Sequence, residues 1–575
     1  MSRKISSSNK NVFQNKEIFL LVQQGLVFHR EGNIKKARKI YEKILGIEPE
    51  NFDALQLLGV IFAQDKKYLE AIKYLSKALK INPNHVGALS NLGISQKELK
   101  LFDEALDNYD KAIAIKPDHI DALINRGNVL QELKRLEEAL DSYNKVIAIR
   151  ALDIEAHYNR GNVLYGLKRL NEALDSYDKA IVIKPDHSEA FYNRGNVLQE
   201  LKRLEEALDS YDKAIAIKPD NFEAFYNRGN VLQRLKNLEE AKISYEQAIM
   251  INSNCADAHW NLSLCNLRMG NFYEGWQGYE WRWKSVSFGS KPLITNKPSW
   301  DFKKTQNRLL LHQEQGVGDQ IFFSRFLPNI QENVPNILVQ IDRRLVTVLQ
   351  RSLPKIKFFP SDIKIPDSDY DIYSPIGSIG KFFCNSKMNF LQSKNNFLIS
   401  DKSRTQNIRN KLATKKKLIC GISWKSKSEV TGDDKSLSLE KMAKIFNAKK
   451  ICLVDLQYGE TAEDINCLKE TNDIELVQNE SIDNLNDLDG LTSLIDACDF
   501  IVSIDNVTIQ IASALGKKSF VLLSYFPYWC WPLVENESTL LPGVKVYRQE
   551  KINEWDKSLE HIRNDIKNFN FHESS

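Results

Sequence analysis

Residues 192–220 have the sequence YNRGNVLQELKRLEEALDSYDKAIAIKPD, and residues 158–186 have the sequence YNRGNVLYGLKRLNEALDSYDKAIVIKPD. The two stretches are offset by 34 residues, and the same landmarks return at that spacing through the first half of the 575-residue chain. Each repeat contains two amphipathic segments of helical period. A regular period of this length predicts stacked helix pairs, because one pair cannot bury its apolar face alone.

Small residues, an aromatic residue and a proline mark each repeat. The small residues let two helices approach closely, and a tyrosine fills the space between neighbouring pairs. The proline ends the second helix, because it has no N–H and clashes with the preceding turn. The landmarks include Gly93, Gly127, Gly161, Gly195 and Gly229; Tyr109, Tyr143, Tyr177, Tyr211 and Tyr245; and Pro49, Pro83, Pro117, Pro185 and Pro219.

This combination of period and landmarks resembles the tetratricopeptide repeat. The resemblance implies an α-solenoid, in which the helix pairs stack into a superhelix. We expect a polar tail over residues 1–17 and the repeat array over residues 18–289, with about seven full repeats and a degenerate eighth. Trp276, Trp281 and Trp283 close the array, either as an aromatic cap against a following domain or as a platform for stacking a sugar.

The first helices of the repeats carry a ladder of asparagines at the repeat spacing. Each carboxamide offers donors and an acceptor, so the ladder could hydrogen-bond the backbone of an extended peptide or protein segment. The superhelix of the protein O-GlcNAc transferases looks similar. The alternative is that asparagine is common here in such repeats and satisfies only local turns and solvent. The candidate peptide-groove residues are Asn125, Asn159, Asn193, Asn227 and Asn261.

After residue 300, short apolar runs of strand type alternate with helical stretches. Such alternation is typical of parallel sheets that are covered by helices on both faces. We expect two Rossmann-like α/β halves over residues 290–391 and 418–575, joined by a polar linker over residues 392–417. Two facing halves of this kind form a cleft at the C-terminal ends of their strands.

Loops that follow predicted strands carry the candidate chemistry. Gly316 and Gly318 permit a tight turn close to a ligand, and they place Asp319 near a helix N-terminus. Lys425, Lys427 and Lys435 bring positive charge beside another helix start, which suits a pyrophosphate. A solvated surface loop would show the same lysines.

A third loop contains Asp505, which follows a strand and is placed to cap the helix that begins near Asn506. Helix capping alone would explain why an aspartate stands at this position. Contact with a nucleotide is the sharper alternative, because backbone N–H groups at the start of that helix would point into the cleft.

The stretches EQGVGDQIFFSRFLP, GISWKSKS and IDNVTIQIASALGK occur in this order, with YFPYWCWPL later in the chain. Together they resemble bacterial proteins that join tetratricopeptide repeats to a glycosyltransferase of the heptosyltransferase-like family 9 group. The resemblance implies a GT-B-type module of two Rossmann-like halves. It also implies a nucleoside diphosphate (NDP) sugar donor in the C-terminal half and inverting transfer without a metal or other cofactor.

On the same resemblance, Asp319 is the candidate general base that takes a proton from the attacking hydroxyl. Lys425 or Lys427 would stabilise the leaving diphosphate. Asp505, with the amides that follow from Asn506, would hold the diphosphate or the ribose.

Gln510 departs from the family pattern, because a histidine usually stands five residues after the aspartate. Asn506 likewise replaces a common threonine. Glutamine can hydrogen-bond a phosphate but cannot titrate. We predict a glycosyltransferase that transfers a sugar to a protein or glycan acceptor recruited by the repeat groove. The alternative is a non-enzymatic protein–protein interaction scaffold with a decayed transferase domain.

Composition limits the partners further. Lys and Arg total 79 against 75 Asp and Glu, a net charge of +4 that argues against bulk attraction to nucleic acid. No apolar run approaches the roughly 20 residues that span a bilayer, and the cysteines show no zinc-site spacing. We therefore expect a cytoplasmic protein without a metal. Residues 367–369 form a DxD string, which either binds a metal, as in metal-dependent transferases, or is a solvated turn.

Overall fold

The computed structural model describes residues 2–383, 396–413, 417–427, 432–471, 474–531, 533, 536–538 and 540–568, with side chains from residue 15 onward. The chain divides into two compact units, Met1–Asn227 and Arg228–Ser575, which we call the N-terminal unit and the C-terminal unit. Residues 392–395 and 414–416 of the predicted linker lie outside the described part of the chain.

The N-terminal unit is built from helices that pair in sequence order. The backbone of the predicted polar tail is helical from residue 2 and continues into the first repeat. The helices are α1 (Ser2–Arg30), α2 (Ile34–Ile47), α3 (Phe52–Gln64), α4 (Tyr68–Ile81), α5 (Val86–Glu98), α6 (Phe102–Ile115), α7 (Ile120–Glu132), α8 (Leu136–Ile149), α9 (Ile154–Gly166), α10 (Leu170–Ile183), α11 (Ser188–Glu200), α12 (Leu204–Ile217) and α13 (Phe222–Arg234), whose residues cross the boundary between the units.

Helices approach closely where the sequence places glycine. A Cβ built on Gly161 would lie 2.6 Å from Cε1 of Tyr177, and one built on Gly195 would lie 2.6 Å from Cε1 of Tyr211. Both tyrosines are buried. A larger residue at either glycine would displace the ring, so these contacts agree with the role predicted for the glycines. Each tyrosine lies against the glycine of its own helix pair.

The C-terminal unit begins with three further helices of the repeat pattern: α14 (Leu238–Ile251), α15 (Ala256–Met269) and α16 (Phe272–Tyr279). A 3-10 helix, Glu280–Lys284, follows directly. Helix α16 is shorter than the equivalent helices of the other repeats, as expected for a degenerate eighth repeat.

Two parallel sheets with interspersed helices make up the rest of the unit. One sheet has four strands in the order β3-β2-β1-β4, and the other has six in the order β10-β9-β8-β5-β6-β7. The strands are β1 (Leu309–His312), β2 (Ile337–Ile341), β3 (Lys357–Pro360), β4 (Ile372–Pro375), β5 (Leu418–Ser423), β6 (Ile451–Asp455), β7 (Leu476–Val477), β8 (Phe500–Ile504), β9 (Ser519–Leu523) and β10 (Val544–Arg548).

Helices lie in most of the connections between these strands, as is usual for parallel pairing. The α-helices are α17 (Val317–Ser324), α18 (Leu327–Gln331), α19 (Arg343–Ser352), α20 (Lys402–Leu412), α21 (Gly432–Lys435), α22 (Leu439–Ala443), α23 (Ala462–Thr471), α24 (Leu488–Ala497), α25 (Val507–Ala514) and α26 (Asp556–Asn568), and the 3-10 helices are Asp367–Asp369 and Ile376–Phe383. Helix α20 lies within the predicted linker. It contacts α24, and its residue Arg409 pairs with Asp499 at 2.5 Å.

Trp276 joins the last repeat helices to the core of the α/β region. Its ring is 1% exposed and lies edge-on to Trp529, with ring centroids 5.5 Å apart. A Cβ on Gly380 would overlap this ring, so the approach is tight. These contacts favour the interpretation of Trp276 as an aromatic cap. Trp281 stacks on His259 at 3.8 Å instead of presenting an open face.

Candidate functional site

A cavity of about 320 Å³ opens at the C-terminal ends of strands from both sheets of the C-terminal unit. Parallel strands bring their following loops to one edge, which is where α/β proteins bind ligands. The cavity brings together most of the predicted site residues: Gly316, Gly318, Asp319, Asp505, Asn506 and Gln510.

Asp319 lies in the first turn of α17, directly after the loop that follows β1. Its Oδ2 accepts a hydrogen bond from the backbone N–H of Gly316 at 3.3 Å. Burial raises the pKa of Asp319 to about 6, with the nearby Asp505 carboxylate adding to the rise. A carboxyl with a pKa near the working pH is suited to proton transfer.

The structure corrects the capping role predicted for Asp505. Asn506 is the N-cap of α25, because its Oδ1 accepts from the backbone N–H of Thr508 at 3.0 Å. Its Nδ2 donates to Ser423 Oγ at 2.7 Å, which ties the ends of β8 and β5 together. Asp505 instead pairs with Lys435, 2.8 Å from Nζ to Oδ2. The Asp505 carboxylate therefore lies on the cavity wall paired with Lys435 and does not cap the helix.

The two lysines predicted to hold the diphosphate do not line the cavity. Lys425 Nζ pairs with Asp464 at 2.6 Å. Lys427 is exposed, and its chain lies against Gly459.

Arg344 supplies positive charge at the cavity instead, and Lys435 contributes only through its ion pair with Asp505 of the cavity wall. Arg344 lines the cavity and donates from Nη1 to the backbone oxygen of Leu485 at 3.0 Å, while Asp342 holds the rest of its guanidinium. Sequence reasoning missed Arg344. The sequence did offer one indication of a role for Arg344, because it follows β2 as Asp319 follows β1.

The wall formed by Tyr528, Trp529 and Cys530 was also missed as a site element. Repeat-type helices of the same unit support this segment. Arg268 of α15 donates from Nη2 to the backbone oxygen of Pro527 at 2.7 Å and lies 3.9 Å from the Phe526 ring centroid.

A buried ion pair supports the loop that carries Asp319. Arg282 and Glu314 are both fully buried, and Nη2 lies 2.7 Å from Oε2. Arg282 also donates to Ser378 Oγ at 2.8 Å and to Glu280 Oε1 at 3.1 Å. Burial raises the pKa of Glu314, and the Arg282 guanidinium opposes that rise. The network joins the end of the repeat-type helices to the first cleft loop.

The asparagine ladder forms hydrogen bonds between successive repeats. Asn193 Nδ2 donates to Asn162 Oδ1 at 3.0 Å and to Tyr158 OH at 3.1 Å, and Tyr177 OH donates to the same Asn162 oxygen at 2.8 Å. Asn159 and Asn227 repeat this contact with the preceding repeat, as does Asn261 within the C-terminal unit. Asn125 instead donates to the backbone oxygen of Asp121 at 2.8 Å. Apart from Asn125, whose partner is local, the ladder amide groups thus have partners in the preceding repeat, beyond the local turns and solvent of the alternative interpretation.

The DxD string lies in a 3-10 turn away from the cavity. The Asp367 carboxylate accepts from Tyr370 OH at 2.9 Å and Thr295 Oγ1 at 3.1 Å. These bonds agree with the interpretation of the string as a turn.

Comparisons with known proteins identify the repeats. Tetratricopeptide-repeat models match residues 127–168, 154–187, 176–209, 200–236 and 222–255, and the model of subunit 3 of the anaphase-promoting complex, or cyclosome, matches residues 30–112. The helix pairs are tetratricopeptide repeats. A tetratricopeptide array is a protein-interaction scaffold, because its stacked helices present an extended surface.

Protein FlbA of Caulobacter vibrioides is 25% identical to this chain over 334 residues. The match spans 53% of this chain and 54% of FlbA, about half of each protein. The tetratricopeptide protein YrrB, described as having an unusual peptide-binding site, is 26% identical over 32% of this chain and 95% of its own, with a TM-score of 0.30. PilF of Pseudomonas aeruginosa is 20% identical over 37% of this chain and 96% of its own, with a TM-score of 0.34.

Among the described residues, no helix has the length and apolar character needed to cross a membrane.

Proposed function

We propose that the C-terminal unit is an inverting, metal-independent glycosyltransferase of GT-B type that uses an NDP-sugar. The observation that carries the proposal is the placement of Asp319. Its carboxyl, with a pKa of about 6, shares one cavity with Arg344 and with the N-terminus of α25. A proton acceptor and an anion-binding region on the same cavity are what sugar transfer from a diphosphate requires.

In the proposed reaction, Asp319 removes the proton from an acceptor hydroxyl while that oxygen attacks the anomeric carbon of the sugar. A new C–O bond forms on one face, the C–O bond to the diphosphate breaks on the other, and its electron pair stays on the diphosphate. Arg344 and the backbone N–H groups that begin α25 stabilise the developing charge. The tetratricopeptide groove recruits the protein or glycan acceptor.

The scaffold alternative is favoured by a different observation. The ammonium group of Lys425 is bound to Asp464, and Lys427 does not line the cavity, so the lysines expected to hold the diphosphate are elsewhere. Under this alternative, the repeats bind a partner and the cavity binds no NDP-sugar.

Thermal unfolding with UDP-, GDP- and ADP-sugars separates the two functions. A sugar nucleotide at 100 times its Kd adds about 2.7 kcal/mol of stability to the folded state. We expect at least one of them to raise the Tm of the full chain. No shift with any of the three classes would support the scaffold.

Asp319→Asn tests the proposed base. Release of nucleoside diphosphate from the bound sugar nucleotide should fall by about 10²–10⁴-fold, with donor binding retained. Asp362→Asn is the matched control, because Asp362 is an exposed carboxylate of the same half, paired with Arg343. Undiminished release by Asp319→Asn would exclude Asp319 as the base.

A further inference from the structure

Two buried amide oxygens belong to residues that line the cavity and have no hydrogen-bond partner among the described residues. They are Asn484 Oδ1 and Gln510 Oε1. Gln510 is 6% exposed. Leaving a buried polar group unpaired is costly, so native proteins keep few of them. On a cavity wall, such atoms indicate a ligand that completes their hydrogen bonds.

The orientation of the Asn484 amide is determined by its neighbours. Its Nδ2 donates to the backbone oxygens of Asp455 at 3.2 Å and Gln457 at 3.0 Å. Carbonyls only accept, so the amide cannot be reversed, and Oδ1 must be an acceptor. By contrast, the amide oxygen of the neighbouring Gln457 has hydrogen-bond partners, since it accepts from the backbone N–H groups of Trp424 at 2.9 Å and Lys425 at 2.8 Å.

Gln510 lies beside the loop of the proposed base. A Cβ built on Gly318 would lie 3.7 Å from Gln510 Cγ, in ordinary contact. Gly318 directly precedes Asp319. The Gln510 carboxamide is therefore near the place where the transferred sugar meets the base in the proposed reaction.

The chemistry of these atoms selects among ligand groups. The two amide oxygens need hydrogen-bond donors. Phosphate oxygens only accept at neutral pH, so a diphosphate would leave both amide oxygens unpaired. A hydroxyl can donate, so hydroxyl groups can satisfy both.

Building on the proposed function, we propose that Asn484 and Gln510 determine specificity by binding hydroxyl groups of the donor's sugar and ribose. Arg344 and the N-terminus of α25 bind the diphosphate separately. This assignment differs from a phosphate-binding role for Gln510.

Gln510→Met tests the inference, because it keeps the side-chain length and removes the acceptor. The probes are inorganic pyrophosphate and the sugar nucleotide that gives the largest thermal shift with the unaltered chain. We expect about tenfold weaker binding of the sugar nucleotide, unchanged binding of pyrophosphate, and an equal or higher Tm of the ligand-free protein.

Gln320→Met is the matched control. Gln320 is 2% exposed and does not line the cavity. Both ends of its amide have hydrogen-bond partners. Oε1 accepts from the backbone N–H of Asp342 at 2.8 Å, and Nε2 donates to Gln313 Oε1 at 3.1 Å. This variant should lower the Tm without ligand.

Three results would overturn the inference while leaving the proposed function intact. They are unchanged sugar-nucleotide affinity in Gln510→Met, equal loss of pyrophosphate binding in that variant, and a Tm loss in Gln510→Met that matches Gln320→Met. Failure of the unaltered chain to bind any sugar nucleotide would overturn the proposed function and this inference together.

Discussion

The amide oxygens of the repeat ladder have hydrogen-bond partners, whereas two amide oxygens of the cleft have none. Asn162 Oδ1 accepts hydrogen bonds from Tyr177 and from Asn193 of the next repeat. Gln510 Oε1 and Asn484 Oδ1 accept none from the described residues. Because an unpaired buried acceptor is costly, the repeat amides can be explained by stability alone, whereas the cleft amides indicate a ligand.

Carboxyl groups show the same contrast through the sign of their pKa shifts. In the repeats, Arg169 and Arg203 lower the pKa of Glu172 and Glu206. In the cleft, burial raises the pKa of Asp319 to about 6. The repeat carboxylates stay ionised as partners of arginine, and the cleft carboxyl can gain and lose a proton near neutrality.

The largest effect is expected at the pair that supports the cleft. Arg282→Met should lower the free energy of unfolding of the C-terminal unit by about 3–5 kcal/mol, because it leaves Glu314 buried without its partner. Denaturant unfolding followed by tryptophan fluorescence measures the change. Arg343→Met, which removes an exposed partner of Asp362, is the control and should have little effect. Equal losses from both variants would contradict a special role for the buried pair.

The pH dependence of turnover sharpens the contrast between carboxyl groups. Asp319 accepts a proton only when ionised, so release of diphosphate at low substrate concentration should fall about tenfold for each pH unit below about 6. The same shift acts oppositely on stability. A carboxyl whose folded pKa is raised stabilises the fold at low pH, and this contribution is lost as pH rises from about 4 to about 6. An acid limb near 4 would exclude Asp319 as the titrating group.

Two tyrosines of the repeats test whether the hydrogen bonds of the asparagine ladder contribute to stability. Tyr177→Phe should lower the free energy of unfolding by about 1 kcal/mol, because it removes the bond to Asn162. Tyr109→Phe should cost nothing or stabilise, since Tyr109 OH is buried without a partner among the described residues and Ile94 stands at the position equivalent to Asn162. Thermal unfolding of the full chain compares them. Equal losses would show that the ladder bonds contribute nothing specific.

The smallest effect concerns the turns within the pairs. Lys134 has a φ of +60°, and Gly32 and Gly270 occupy the same register at the ends of the array with φ values of +75° and +82°. Lys134→Gly should stabilise by about 0.5–1 kcal/mol, because glycine adopts this left-handed conformation without a Cβ clash. Lys145→Gly inside α8 should instead destabilise by about 1 kcal/mol. If both substitutions changed the free energy of unfolding in the same direction, the left-handed turn at Lys134 would not explain the effect.

Prediction from sequence succeeded where spacing carries the information. The 34-residue period predicted the helix pairs, and the alternation of strands with helices predicted parallel strands with the loops of Asp319 and Asp505 at their C-terminal ends. It failed for Lys425, because its partner Asp464 is 39 residues away and no local pattern reveals the pair. The capping role of Asp505 failed for a different reason: Asp505 and Asn506 are both good N-cap residues, and their neighbours in space decided between them.

By itself, the sequence determined the repeat period, the close glycine–tyrosine contacts and the α/β character of the second half. These features follow from local spacing and residue size, which recur in every repeat or strand. Only the tertiary structure decided which polar atoms have partners. Asn193 is paired across a repeat boundary, while Asn484 and Gln510 keep unpaired oxygens on a cavity wall. Hydrogen-bond completion depends on side chains that are distant in sequence and meet only when the chain folds.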